Sequence, residues 1–173
     1  MIYGINVDDW SVVSIMLPKD VKHLEKARKE CRTMVLQRAA TSAGASVIPL
    51  PGLDIAADVG LLMKLLPEIN RKFGLTPEQI EKLEPERKLV VYALISRGGK
   101  SLVGRTITKK LVLIVLKRVG VQMTAKQTAK FLPIAGQLAA AFLGFGAMMY
   151  IGTSHVDDCY RIARAAMDAE TGK

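Results

Sequence analysis

Two residues of the chain have the types and spacing of a nucleophile pair. His155 and Cys159 are four residues apart, so on a helix they share a face, with Asp157 and Asp158 beside them. A Cys–His nucleophile also needs a third group that orients the histidine and an oxyanion site, and the sequence shows neither. Two ligands do not make a zinc site. We therefore expect ordinary, partly buried helix residues here, with no metal.

A second pattern partly matches a phosphate-binding loop. Gly98-Gly99-Lys100-Ser101 follows an apolar run, but the position that needs a further glycine is Leu94. No strand ending in Asp follows to hold magnesium. We therefore expect a basic turn between two helices, no nucleotide and no other cofactor. Since no catalytic groups converge elsewhere in the sequence, we expect a protein that is not an enzyme.

Two carboxylates stand in otherwise apolar sequence. Asp54 lies where a helix begins, so capping and the helix dipole explain it. Asp58, four residues later, is a candidate buried carboxylate, and a buried carboxylate needs a partner. A basic residue from later in the chain is one candidate partner. A proton or ion relay within a membrane is the sharper alternative.

The elements that must position these residues are helices. Apolar residues recur at helical spacing after Asp20, which is a candidate N-cap, and Thr76 to Gln79 form a capping box. We expect Pro67 to kink or split one helix and Pro85 to stop another. The run Leu89–Ile95 fits a strand or a helix. The pattern predicts a lead over residues 1–17, then one all-α domain over 18–173 with about six to eight helices.

Charge is unevenly distributed along the chain. The net charge is +9, yet the 70 residues from Arg87 to Val156 hold 11 Lys or Arg and no Asp or Glu. Basic charge beside apolar sequence fits an anionic membrane surface or an acidic protein partner. Nucleic acid is an unlikely partner because aromatic residues make up only 5% of the chain. The candidate contact residues are Arg97, Lys100, Arg105, Lys109, Lys110, Lys117 and Arg118.

One stretch has the length of a membrane span. Phe131–Thr153 has 23 residues and no charge, and a span needs about 20. It is also rich in Gly and Ala, which let helices approach closely in a bundle or in lipid. Two interpretations of this stretch are possible: a buried helical hairpin, or a segment that enters a membrane under some conditions. Two related motifs, each with Pro and Gly near a helix start, are expected to form central hairpins: Pro49, Pro51 and Gly52, then Pro133 and Gly136.

These motifs carry a family resemblance. The run from Ala43 to Val59, with its Pro49-Leu50-Pro51-Gly52 core, resembles the helical region that follows the GTPase domain in immunity-related (interferon-inducible) GTPases. The run Lys130–Gly136 is similar to the matching second half, and bacterial membrane-associated helical domains share such hairpins. The chain has no phosphate loop or GTPase fold, so the resemblance implies association with membranes or partner proteins and not GTP hydrolysis.

Together these patterns predict a membrane-engaging helical domain, such as a small pore-forming toxin-like or defence effector domain. It would be captured by its basic face and would then bury Phe131–Thr153. The alternative is a helical immunity or adaptor protein that binds an acidic protein, with the small-residue helices as core. Cys31 and Cys159 are expected to be reduced thiols. We expect a cytoplasmic protein with peripheral or conditional membrane association, and an oligomer is compatible with the sequence.

Overall fold

The described part of the chain is helical. The computed structural model describes residues 17–45, 53–97, 102–127 and 136–170, with side chains described at 17–42, 57–97, 102–119 and 144–169. Within these ranges the chain forms helices joined by turns and contains no strand. The all-α prediction is therefore confirmed. The expected lead over residues 1–17 lies outside the described residues except for Leu17, which is buried.

The helices differ greatly in length. In chain order they are α1 (Val21–Ala45), α2 (Leu53–Lys72), α3 (Pro77–Glu81), α4 (Pro85–Arg97), α5 (Lys109–Gln127) and α6 (Gly136–Glu170). The described residues thus form five helices of 13 residues or more and one of only five residues. Counted by its five longer helices, the described part falls slightly below the predicted six to eight. One reason is that α6 continues without a break for 35 residues.

Local signals place the helix starts correctly. The backbone N–H of His23 donates to Asp20 Oδ1 at 2.8 Å, so Asp20 caps α1. Thr76 and Gln79 exchange the two hydrogen bonds of a capping box at α3. Pro85 begins α4, where a missing N–H costs nothing. The run Leu89–Ile95 is helical within it.

Pro67 does not split the helix that contains it. It lies inside α2, which continues to Lys72. The carbonyl that loses its intrahelical donor belongs to Met63, whose side chain is exposed, so water can take the place of that donor. The prediction of a split is therefore wrong, and the burial of Leu65, Leu66 and Ile69 on the other side holds the helix together.

Three long helices form the centre of the fold. Contacts of Glu25 with Tyr160 and of Val35 with Gly152 show that α1 runs antiparallel to α6. Lys72 forms an ion pair with Glu30 at 2.8 Å and Ser42 donates to Asp58, so α2 is antiparallel to α1. Since α6 and α2 are both antiparallel to α1, they run parallel to each other. Helix α4 packs against α6, and α5 packs against α6 and α2.

The core lies between these helices. Its fully buried large side chains include four from α2, two from α1 and two from α6: Leu62, Leu65, Leu66 and Ile69, then Leu24 and Val35, then Met148 and Ile162. Gly152 lets α6 approach α1 closely, because an added Cβ would lie 2.6 Å from Val35 Cγ1 and 2.7 Å from Cγ2. The described half of Phe131–Thr153 therefore packs into the core.

We expect Gly152→Ala to lower the free energy of unfolding by about 1–3 kcal/mol, since the new methyl group would overlap Val35. Gly60→Ala is the matched control in an exposed part of α2. Nothing lies within 4 Å of its added Cβ, so it should stabilise by about 0.5–1 kcal/mol. Urea denaturation followed by circular dichroism measures both. A Gly152→Ala protein as stable as the wild type would contradict the close helix approach.

Candidate functional site

The predicted basic contact residues are exposed wherever they are described. Arg97 ends α4, Arg105 lies in the loop that follows, and the other four described members lie on α5. None of the six forms an ion pair with a described carboxylate. Lys100 lies outside the described residues, as does the rest of Gly98–Ser101. The positive charge of the described members is therefore not neutralised within the described fold.

Helix α5 brings three of these lysines around two aliphatic side chains. Lys109, Lys110, Leu113, Ile114 and Lys117 line a shallow groove of about 500 Å³. Leu113 is 40% exposed and Ile114 is 50% exposed. We call these five residues the outer face of α5. It combines positive charge with an accessible apolar centre.

The spacing of the apolar run explains why α5 has this outer face. Val112 and Val119 are buried, while Leu111, Val115 and Leu116 pack partly against the core. Because these positions lie on the inward side of the helix, Leu113 and Ile114 must point outward. The six apolar residues from Leu111 to Leu116 cover all sides of the helix. The fold buries one side and leaves the other open.

The loop before α5 holds the helix in position. Gly104 has a φ of 66°, and an added Cβ there would lie 2.9 Å from the Cδ1 atoms of Ile80 and Ile95. The loop therefore packs closely against α3 and α4, in a left-handed backbone conformation that favours glycine. Thr108 then caps α5 by accepting a hydrogen bond from the N–H of Leu111 at 3.3 Å.

His155 and Cys159 lie together in the core and not partly exposed as expected. The Cys159 thiol donates to Asn70 Oδ1 at 3.4 Å, and its Sγ lies 3.8 Å from His155 Nε2. Burial raises the pKa of Cys159 well above its ordinary value and lowers the pKa of His155 to about 4. Both groups are therefore neutral at pH 7, which is unlike an activated nucleophile.

Cys31 of α1 is also buried, and burial raises its pKa to about 12. Both thiols are free. No group of three His, Cys, Asp or Glu side chains in the described ranges is placed to hold a metal ion. The described thiols and His155 therefore act as core residues.

Asp58 is buried, with 9% of its surface exposed. The Ser42 hydroxyl of α1 donates to its carboxylate, so this pair links α1 to α2. Asp54 lies in the first turn of α2, and its side chain is outside the described set. The motif residues Pro49, Pro51, Gly52 and Pro133 also lie outside the described residues, and Gly136 is the first residue of α6.

A polar contact between α1 and α6 was missed by the sequence analysis. Arg28 and Arg32 both donate to Asp157 Oδ1 at 3.0 Å. The Arg28 guanidinium also lies 4.4 Å from the centre of the Tyr160 ring, and the Tyr160 hydroxyl donates to Glu25. In the sequence, Arg28 stands within the apolar stripe of α1. Only the pairing of two distant segments could identify Asp157 as its partner.

None of the described helices combines the length and the apolarity that are needed to cross a membrane. Comparisons with protein-family models, curated proteins and solved structures give no match for the chain. The candidate site therefore rests on its own geometry, which is the outer face of α5.

We expect both thiols of the folded protein to resist Ellman's reagent near pH 8, because the reagent needs an exposed thiolate. Ser154→Cys is a suitable control, since Ser154 is exposed on the same helix as Cys159. Its thiol should react at least about 100-fold faster than the two native thiols. Absorbance of the released thiolate measures the rates. Rapid labelling of a native thiol in the folded wild type would contradict the buried arrangement.

Proposed function

We propose that this protein associates peripherally with anionic membranes through the outer face of α5. The observation that carries the proposal is that Lys109, Lys110 and Lys117 flank the exposed side chains of Leu113 and Ile114 on one helix. Helices that lie in a membrane interface combine basic side chains with an accessible apolar surface in this way. Charge complementarity indicates that the partner of this face is an anionic lipid surface.

The absence of nearby acid in the sequence supports this choice. No Asp or Glu occurs between Arg87 and Val156, so α5, α4 after its first turn and the loop between them carry no carboxylate. Arg105 and Arg118 are exposed and add charge close to the lysines along the chain. These segments therefore offer positive charge and no carboxylate of their own to an anionic surface.

The expected binding energy is modest. Each basic residue near an anionic surface contributes about 1 kcal/mol. Burying the exposed halves of Leu113 and Ile114 adds about 1 kcal/mol each, since full burial of such a side chain is worth about 1.5–3 kcal/mol. The sum is comparable with the energy of a reversible lipid anchor. Binding should therefore be reversible and weakened by salt.

This proposal does not require Phe131–Thr153 to enter the bilayer. Ala147, Met148 and Ile151 of that stretch are buried in the core, and Gly152 touches Val35. Peripheral binding through α5 leaves these contacts unchanged. The resemblance to the helical region of immunity-related GTPases supports the same class of function, and a toxin-like or defence effector role is part of the proposal.

We expect the wild type to float with vesicles that contain anionic lipid at low salt, and not with neutral vesicles. Exchanging Lys109, Lys110 and Lys117 for Glu should reduce binding at least about 100-fold, because it removes about 3 kcal/mol of attraction and adds repulsion. Exchanging Leu113 and Ile114 for Ser should weaken binding about 30-fold while the salt dependence remains. Vesicle flotation over a salt series measures each.

The matched control exchanges Lys22, Lys29 and Lys64 for Glu. These lysines are exposed on α1 and α2, so the net charge changes equally while the outer face of α5 is intact. This control should bind nearly as well as the wild type. Equal losses in both triple variants would mean that total charge, and not this face, decides binding. If the wild type fails to bind anionic vesicles at low salt, the membrane proposal is wrong and the acidic protein partner takes its place.

A further inference from the structure

His155 lies buried where three helices meet. It is 3% exposed on α6, against the backbone of Leu66 on α2 and next to Cys159. Asn70 of α2 and Cys31 of α1 are close enough to affect Cys159. The imidazole therefore belongs to the packing that joins α6 to α1 and α2.

The surroundings of the ring suit its neutral form. Its Nδ1 atom is buried and has no hydrogen-bond partner among the described atoms, and Nε2 faces the neutral Cys159 thiol. A protonated imidazole has two N–H donors and a full charge, and both need compensation in a buried place. The described residues place no carboxylate against the ring. Protonation would therefore place a cation in the core with no described carboxylate against it, and the Leu66 carbonyl offsets only part of this cost.

The other charged groups near these helices are already paired. On α1, Glu30 pairs with Lys72 of α2, and Arg28 and Arg32 pair with Asp157 of α6. Asp158 of α6 pairs with Arg161. The buried described side chains of α4 and α5 are the apolar Val91, Val112 and Val119. The described buried groups that can titrate are Cys31, Asp58, His155 and Cys159.

The two thiols stay protonated in acid, so His155 and Asp58 are the described buried groups that acid can change. Asp58 would become neutral on protonation, which removes a buried charge. His155 would become charged, which creates one. The new charge of His155 disfavours the closed packing. The effect of protonating Asp58, whose carboxylate accepts a hydrogen bond from Ser42, is measured separately with an Asp58 variant.

We propose that His155 is an acid-sensitive latch whose protonation releases α6 from α1 and α2. Release would uncover the buried face of α6, including Met148, Ile151 and Ile162. This inference rests on the packing of His155 and not on the outer face of α5. It is therefore tested without vesicles, and it can fail or succeed independently of the proposed function.

The pH range follows from linkage. Burial lowers the pKa of His155 from 6.5 to about 4, against a smaller opposing effect of the Leu66 carbonyl. The open form, in which α6 is released from α1 and α2, binds the proton more tightly than the closed form. The stability of the closed form is therefore fully present above pH 6.5 and is lost as the pH falls towards 4. Between pH 7.4 and pH 5 the ratio of open to closed molecules should rise about 25-fold.

The native thiols report this opening, since Cys31 and Cys159 lie on the helices that separate. Labelling with 4,4′-dithiodipyridine, which reacts with thiols in acid, is followed by the release of thiopyridone. Rates are divided at each pH by the rate of the same protein unfolded in urea. The wild type should show the rise of about 25-fold in this corrected rate, and His155→Gln should show less than about 3-fold.

Two variants control for other titrating groups. His23→Gln changes the exposed histidine and should retain the full wild-type rise. Asp58→Asn removes the other buried acid-sensitive group and should also retain it. An equal rise in the wild type and His155→Gln overturns the proposal. It is also overturned by the absence of a rise in the wild type, or by a rise abolished in Asp58→Asn alone.

A measurement on the wild type remains decisive if His155→Gln does not fold. The chain has two histidines, so its NMR spectrum has two imidazole signals, and His23→Gln identifies them. The His155 signal of the folded protein should titrate well below 6.5, and loss of the native spectrum should accompany it. A His155 signal that titrates at 6.5 in the native spectrum overturns the latch.

Discussion

The antiparallel packing of α1 against α6 is the contact on which the rest of the structure depends. At its closest point Gly152 faces Val35 without a side chain of its own, and Arg28 and Arg32 both bond to Asp157 further along. One face of α1, with Cys31, Val35 and Ala39, is buried, and α2 also packs against α1. Because α2 and α6 then run parallel, the backbone of Leu66 meets His155.

The two functional features follow from this arrangement in different ways. His155 and Cys159 lie in the core because α6 continues through Gly152 to Cys159 as one helix. This continuity places the His155 side chain in the buried interface with α2. The outer face of α5 exists because the central helices are already covered, so α5 needs only one side for packing. Its other side keeps two aliphatic residues in solvent among lysines.

Local signals in the sequence were reliable where the physics is local. A cap such as Asp20 or Thr76 bonds to backbone three residues away, so its pattern predicts the helix start. Pro67 shows the limit of such rules, whereas the short helix α3 does end before Pro85. Tertiary burial keeps α2 intact through Pro67, and a helix start accepts Pro85. The continuity of α6 was also missed, because small residues and glycines weaken the helical signal that packing restores.

Composition, periodicity and short-range hydrogen bonds are enough to predict the all-α class, the helix caps and a basic stretch without carboxylates. The tertiary structure is needed to know which side of α5 is buried, which residue pairs with Arg28, and whether His155 is buried or exposed. The Arg28–Asp157 and Asn70–Cys159 contacts join residues 129 and 89 positions apart in the chain, and the buried side of α5 depends on which of its apolar residues meet α2 and α6. Burial then assigns the charge state of His155, which no spacing of residue types can do.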